Sequence, residues 1–271
     1  MYCGNKKAFD GILISILSII KNTKEALKIH IITMDLTDLK AEHTPLNQAH
    51  VNYIDNIVKS ANPESCTELF DITELFLKHM KDNPNMDSFY TPYCLLRLFA
   101  DIVEGLPEKL LYLDTDTVIN KDLSELYSTD INNFELAAAE DYLGKTFKYK
   151  GYINSGVLLL NLPMIRKTRL FEKTRLACKT KKMWFPDQDA LNKFIRRKKP
   201  LETKYNEQHK LKDDTVIRHF SKTIKWLPFY HTQNIKPWDI EKVHKKMKLF
   251  AFDDILTDYQ TRKTKSPELF S

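Results

Sequence analysis

At 271 residues, 42% apolar and 29% charged, the chain has the composition of a globular protein that can bury a sizeable core, in one large α/β domain or two small ones. Four scattered cysteines, Cys3, Cys66, Cys94 and Cys178, form no Cys-x-x-Cys pair, which sets aside a disulfide framework or a zinc site and fits reduced thiols in the cytoplasm. The net charge of +6 is uneven, with 12 Lys and Arg against 23 Asp and Glu up to residue 141 and 30 against 13 beyond it; this suits a polyanion such as a nucleotide diphosphate or a membrane surface, while no motif points to nucleic acid.

Met1-Tyr2-Cys3 reads as a short first strand, followed by a turn at 4–7 and a helix over 10–22 with Ile12, Ile16, Ile19 and Ile20 at helical spacing. The apolar stretch 12–20 is too short to cross a bilayer and reads as a core helix. A strand over 28–34 completes a β-α-β start, whose consequence is a parallel sheet. Helices are expected over 46–60 and 75–81 with a strand at 69–72 between them, then a helix over 91–103 containing Arg97.

The run Leu111-Tyr112-Leu113-Asp114-Thr115-Asp116 reads as a buried strand that delivers two carboxylates to its carboxyl end, where open α/β sheets bind ligands. Strand alternation puts residues i and i+2 on one side, so the two charges need a counter-charge such as a divalent cation. A strand over 136–139 ends in Glu140 and Asp141, and 152–156 turns into a second buried strand at 157–160. One basic helix is expected over 163–180, another over 186–196 opening on Asp187 as its N-cap, and a last strand over 215–219 ending in His219. From 238 to 250, Ile240, Val243, Met247 and Phe250 recur at helical spacing among lysines. Such a basic amphipathic helix more often packs on its own domain, and its other use is peripheral contact with an anionic membrane.

These segments agree with one another. The stretch 111–116, the Asn-containing segment Ile153-Asn154-Ser155-Gly156-Val157-Leu158-Leu159-Leu160-Asn161-Leu162, the run Phe185-Pro186-Asp187-Gln188-Asp189-Ala190-Leu191-Asn192, and His219-Phe220-Ser221 followed by Lys225-Trp226 together resemble family 8 retaining glycosyltransferases, the group that contains glycogenin and bacterial lipooligosaccharide galactosyltransferases. The resemblance implies a single GT-A domain of the α/β class, with a mostly parallel mixed sheet flanked by helices, over residues 1–236. A basic helical extension, 237–271, follows.

It further implies a UDP-glucose or UDP-galactose donor, Mn²⁺ or Mg²⁺ held by Asp114, Asp116 and His219, and a carbohydrate-bearing acceptor on a glycan, lipid-linked sugar or protein. Asn5, Arg97, Thr115, Asp187 and Lys225 would join the metal ligands in binding the donor. Gln188, Asp189, Asp141 and Asn154 would lie beside the sugar. Gln188 is a poor nucleophile, so front-face substitution is the preferred mechanism, with covalent catalysis by Asp189 as the alternative. Two departures stand out: Lys222 occupies the place of a family glycine, and Lys225-Trp226 lacks the proline of the family's Lys-Pro-Trp.

Each residue also has a structural explanation. Asp187 can be a helix cap, Arg97 can pair with Asp101, Asn154 can be a turn residue and His219 a satisfied strand end. Competing functions are a haloacid-dehalogenase-type phosphatase using Asp114 and Asp116, or an inactive sugar-nucleotide-binding homologue. The phosphatase would need a late acidic motif after an apolar strand, whereas Asp213-Asp214 follows the polar stretch 209–212. A calcium loop from Asp114 fails at Val118 and Ile119, and six glycines with no Gly-x-Gly-x-x-Gly leave no glycine-rich phosphate cradle.

Overall fold

A computed structural model describes residues 1–86, 91–225 and 231–270, with the side chains of Lys225 and His231 outside the description. Strand β1 (Tyr2–Cys3), helix α1 (Phe9–Asn22) and strand β2 (Lys28–Thr33) form the β-α-β start, with β1 parallel to β2. Helix α1 is buried at Phe9 and from Gly11 to Ile19, serines included, which explains why its sequence is a near-continuous apolar run and not a stripe. Helix α2 (Gln48–Ala61) leads to β3 (Cys66–Asp71), which pairs parallel with β2 along all six residues, and α3 (Thr73–Met80) follows.

The expected helix over 91–103 is instead a 3₁₀ helix, Pro92–Phe99, that places Arg97 inside the protein. Strand β4 (Lys109–Leu113) stops before the two acids, and a turn closed by Thr117 N–H on the Asp114 carbonyl at 3.2 Å leads into β5 (Thr117–Ile119). The carboxylates therefore converge through a turn and not through strand alternation.

After α4 (Ser124–Ser128), β6 (Leu136–Ala138) and α5 (Gly144–Phe147), strand β7 (Val157–Asn161) fills the centre. It pairs antiparallel with both β4 and β6, and β6 pairs parallel with β8 (Lys198–Pro200). The Met1 amine donates to the Leu111 carbonyl at 2.7 Å and Leu113 N–H to the Met1 carbonyl at 3.1 Å, which joins β1 to β4. Parallel pairing thus joins β1, β2 and β3, and antiparallel pairing surrounds β7. All four side chains from Val157 to Leu160 are fully buried, as their unbroken apolar sequence requires.

The single basic helix expected over 163–180 is two, α6 (Leu162–Thr168) and α7 (Leu170–Thr180), broken where Arg169 takes a left-handed conformation at φ 57°. Helix α8 (Pro186–Phe194) follows; strand β9 (Ile217–His219) pairs antiparallel with β5, and β10 (Thr223–Lys225) with β11 (His231–Gln233).

The expected amphipathic helix over 238–250 is also interrupted, into α9 (Ile240–Lys242), a π turn Val243–Met247 and a left-handed Lys248. Val243 is fully buried, Ile240 and Met247 pack against the core, and only Phe250 of the four apolar residues is exposed, stacked on His244. The apolar face is thus mostly turned inward onto the chain's own core, the commoner of the two uses of such a helix. Helix α10 (Asp253–Lys265) packs on α1 through Ile255, Leu256 and Tyr259. Among the described residues, no helix is long and apolar enough to cross a membrane.

Candidate active site

Asp114 stands at the end of β4, its N–H bonded to the Gly156 carbonyl at 2.7 Å where β7 begins. Its Oδ1 accepts from Tyr112 Oη at 2.6 Å and lies 2.9 Å from Arg97 Nη2, while Oδ2 faces His219 Nε2 at 3.7 Å. Asp116 Oδ1 is 3.1 Å from the same Nε2. The β5–β9 pairing makes this meeting possible, because Thr117 and His219 are register partners. One ligand atom from each of Asp114, Asp116 and His219 falls within 4.8 Å of the others. Two carboxylates and an imidazole at that spacing fit a divalent cation, with Mn²⁺ or Mg²⁺ suiting the oxygen-rich set.

Beside this cluster stands a cation that the sequence reading did not single out. Lys236 places Nζ against Asp116 Oδ2 and 3.2 Å from the Phe220 carbonyl. Burial acts to raise the Asp116 carboxyl, but the charges of Lys236 and His219 outweigh it and hold the group well below the usual carboxylate range. Lys236-Pro237-Trp238 is the intact Lys-Pro-Trp sought at 225–226, eleven positions downstream, so the signal was present in the sequence. The Lys225 side chain and Trp226 lie outside the described residues, and Lys222 precedes the β10–β11 pair. Trp238 is seated on Gly11, where a Cβ would come 2.6 Å from its ring and 2.3 Å from the Thr115 carbonyl. Thr115 itself is half-buried at the turn.

Arg97 is engaged on every side. Nη1 donates to the Ser155 carbonyl at 2.6 Å, Nε donates to the Cys94 carbonyl at 3.0 Å and lies 3.5 Å from Asp187, and the guanidinium covers the Tyr112 ring at 4.3 Å. Desolvation works against its charge, yet Asp114, Tyr112 and Asp187 raise its pKa further. Asp101, the structural partner considered for it, pairs with Arg175 instead.

Beside the metal cluster lies a second network. Asp141 Oδ2 accepts from Asn154 Nδ2 at 2.8 Å and Gln188 Nε2 at 3.2 Å, while Oδ1 caps the backbone at Leu143 and Gly144. Gln188 Oε1 accepts from Ser155 N–H at 3.0 Å. Asp187 makes no helix-cap bond: it sits inside the first turn of α8 and accepts from Ser155 Oγ at 2.8 Å. Asp189 Oδ1 accepts from Tyr152 Oη at 2.6 Å and lies 3.2 Å from Lys148, and Oδ2 accepts from Phe185 N–H at 3.2 Å. Burial first, then its bond to Asp189, push the Tyr152 hydroxyl far above its ordinary pKa.

Asn192 clamps Ile153 from both sides, donating to its carbonyl and accepting from its N–H, both at 2.8 Å. Asn206 joins the two networks through His219 Nδ1 and Asn154 Oδ1, each at 2.9 Å. Sequence reasoning missed Asn192, Asn206, Tyr152, Lys148 and Lys236. Asn5 follows β1, half of a bridge to Pro45, with its Nδ2 donating to the Glu42 carbonyl at 3.2 Å. The late acids Asp213 and Asp214 are exposed in a loop, which removes the acidic motif a phosphatase reading needs.

Residues 1–241 match the sequence model of glycosyl transferase family 8. A putative glycosyltransferase of Haemophilus influenzae is 31% identical over 192 residues, 66% of this chain and 53% of the relative, so the chain spans about half that protein's length. A lipopolysaccharide 1,2-glucosyltransferase of Escherichia coli is 27% identical over 84% of this chain and 75% of its own. Among solved structures, an active-site mutant of LgtC superposes with a TM-score of 0.70 at 15% identity, covering 96% of this chain and 94% of that one. The galactosyltransferase LgtC with donor and acceptor sugar analogs bound superposes with a TM-score of 0.65 at 14% identity, with the same coverage. The fold of this chain is the GT-A fold.

Proposed function

This chain belongs to glycosyl transferase family 8, and from that membership we propose that it moves a hexose from a UDP-sugar to a carbohydrate-bearing acceptor, with retention at the anomeric carbon. The observation that carries the proposal is the closure of Asp114, Asp116 and His219 within 4.8 Å beside the network of Asp141, Asn154 and Gln188. The names of two similar proteins, a glucosyltransferase and a galactosyltransferase, make glucose and galactose the donors to test. The acceptor is read as a sugar on a glycan, lipid or protein.

Breaking a sugar–phosphate bond leaves a nucleoside diphosphate, so negative charge must be stabilised as it develops. A divalent cation would supply Lewis-acid neutralisation of the departing diphosphate, and the imidazole in the donor set favours Mn²⁺ over Mg²⁺. Asp114, Asp116 and His219 would hold it. Lys236, already at the edge of Asp116, adds a fixed positive charge for the departing diphosphate. Arg97 keeps Asp114 and Asp187 aimed into the site, a holding role suited to a planar fork of donors.

On the sugar side, Asp141 and Gln188 are presented by Asn154 and Ser155, and their dipoles suit an oxocarbenium-like centre. Both oxygens of Asp189 are engaged by Tyr152, Lys148 and the Phe185 N–H, which supports front-face substitution over attack by that carboxylate. A cytoplasmic setting accords with a sugar-nucleotide donor and free thiols.

The test is donor hydrolysis over a panel of nucleotide sugars, with Mn²⁺ and then with chelator, repeated on Asp116→Ala and His219→Ala. Release of UDP from one donor, lost on chelation or with either substitution, is the expected result. Absence of UDP binding together with phosphate release from a phosphomonoester overturns it.

A further inference from the structure

Asn206 is fully buried, and neither the family resemblance nor any motif assigns it a role. Its amide lies between two groups whose polarity must be decided. On one side is His219 Nδ1, on the other Asn154 Oδ1, each 2.9 Å away. Side-chain amides and imidazoles can be written either way round, so their orientation has to be deduced from partners that cannot change role.

Two such partners are present. The Gly156 N–H can only donate, and it meets Asn154 Oδ1 at 2.9 Å. Asp141 Oδ2 accepts from the Gln188 amide, whose own oxygen is fixed by the Ser155 N–H, and it meets Asn154 Nδ2 at 2.8 Å. Asn154 is therefore fixed with its oxygen toward Asn206. Asn206 must answer with its NH₂, which turns its own oxygen to His219 Nδ1. His219 must then carry a proton on Nδ1, which leaves Nε2, the nitrogen turned to Asp114 and Asp116, as the one to ligate a metal.

We propose that Asn206 is a positioning residue that carries the polarity of the Asp141–Asn154 pair to His219 and so fixes the imidazole for metal ligation. Metal-ligating histidines are usually held by a hydrogen bond on the other ring nitrogen, and loss of that partner weakens metal affinity about 10- to 100-fold. Here the partner is also bonded to the group that presents the sugar-side acid, so metal and sugar sites are built as one unit. The inference rests on the metal reading of the Asp114–Asp116–His219 cluster.

The two ends of the link separate by substitution. Asn206→Asp keeps an acceptor for His219 Nδ1–H but loses the donor to Asn154. Asn206→Ala loses both. Mn²⁺ binding in the presence of UDP is read from the electron paramagnetic resonance of the free ion, and donor hydrolysis is measured at saturating Mn²⁺. The expected result is Mn²⁺ affinity within about three-fold of wild type for Asn206→Asp and about ten-fold or more weaker for Asn206→Ala, with turnover reduced in both. A merely structural role predicts parallel losses that follow the melting temperature.

If Asn206→Asp does not fold, Asn154→Ala supplies the test, because it touches no metal ligand yet frees the Asn206 amide to turn. Weakened Mn²⁺ binding in that variant supports the link, and unchanged binding overturns it. Wild-type Mn²⁺ affinity in Asn206→Ala, or equal loss in the Asp and Ala variants, overturns this inference alone. Failure of the wild type to take up Mn²⁺ overturns the metal reading and this inference with it.

Discussion

At the scale of single residues, Gly156 shows how closely the backbone approaches the acidic cluster. A Cβ there would lie 2.3 Å from His219 Cε1 and 2.7 Å from Asp114 Oδ2, so two proposed metal ligands would have to move. Gly156→Ala is expected to weaken Mn²⁺ binding about ten-fold or more, by analogy with losing a ligand's support. Overpacking of this kind costs about 1–3 kcal/mol. Isothermal titration with Mn²⁺ and UDP checks the first and urea unfolding the second; retention of wild-type affinity would mean the ligand positions are more tolerant than the contacts imply. Lys236 is the complementary case, since it adds charge where Gly156 makes room. Lys236→Met keeps most of the stem and removes the ammonium, and is expected to lower kcat for donor hydrolysis about ten-fold or more, a single electrostatic donor often contributing 10²–10³.

At the scale of elements, the site is assembled by joints between secondary structures far apart in sequence. Asn192, on α8, satisfies both backbone groups of Ile153 and so ties the Asp187–Gln188–Asp189 turn to the segment that opens β7. Asn192→Ala leaves a buried N–H and carbonyl unpaired, at about 1–3 kcal/mol each. Denaturant unfolding is expected to show that loss, with a lower kcat because Gln188 loses its support.

The β2–β3 pairing carries a pH-dependent contribution. His30 is register partner to Glu68 and approaches it at 3.2 Å, but burial pulls the imidazole down to about 4 despite that carboxylate. Folding therefore favours the neutral ring. Between the ordinary value near 6.5 and about 4 the unfolded chain binds the extra proton, so this stabilisation is complete above pH about 6.5 and is lost as pH falls toward 4. His30→Phe should flatten the slope of unfolding free energy over that window; an unchanged slope would assign the acid sensitivity to other groups.

At the scale of the whole molecule, the C-terminal tail closes the core. Tyr259 Oη and Lys263 both reach Asp10 on α1, the lysine at 2.6 Å, while Ile255, Leu256 and Tyr259 are buried over the same helix. A chain ending at residue 252 is expected to lose several kcal/mol, at roughly 1.5–3 kcal/mol for each large apolar side chain removed from the core. Its melting temperature should fall by many degrees, and an unchanged melting temperature would show α10 to be dispensable for folding.

Much of this architecture is readable from local pattern. Apolar runs at 110–113 and 157–160 announce buried strands, because only a strand covered on both faces lacks polar alternation. Asp114, Asp116, Gln188 and His219 stand out because polar groups at the ends of such elements need partners or a ligand. The breaks at Arg169 and Lys248 carry no such mark, since both are residues that continue helices well in most contexts.

The rest depended on which distant groups meet. Among 42 Lys and Arg, only the following proline and tryptophan distinguish Lys236, and its partner Asp116 lies 120 positions away. The engagement of Arg97 and Asp189 inside the protein, and the Asn206 link from His219 to Asn154, arise from tertiary packing. A sequence records residue types and their local period, which determine strands, helices and the chemistry on offer. Hydrogen-bond polarity is decided only where chains cross, because each amide or imidazole takes its role from its neighbours in space.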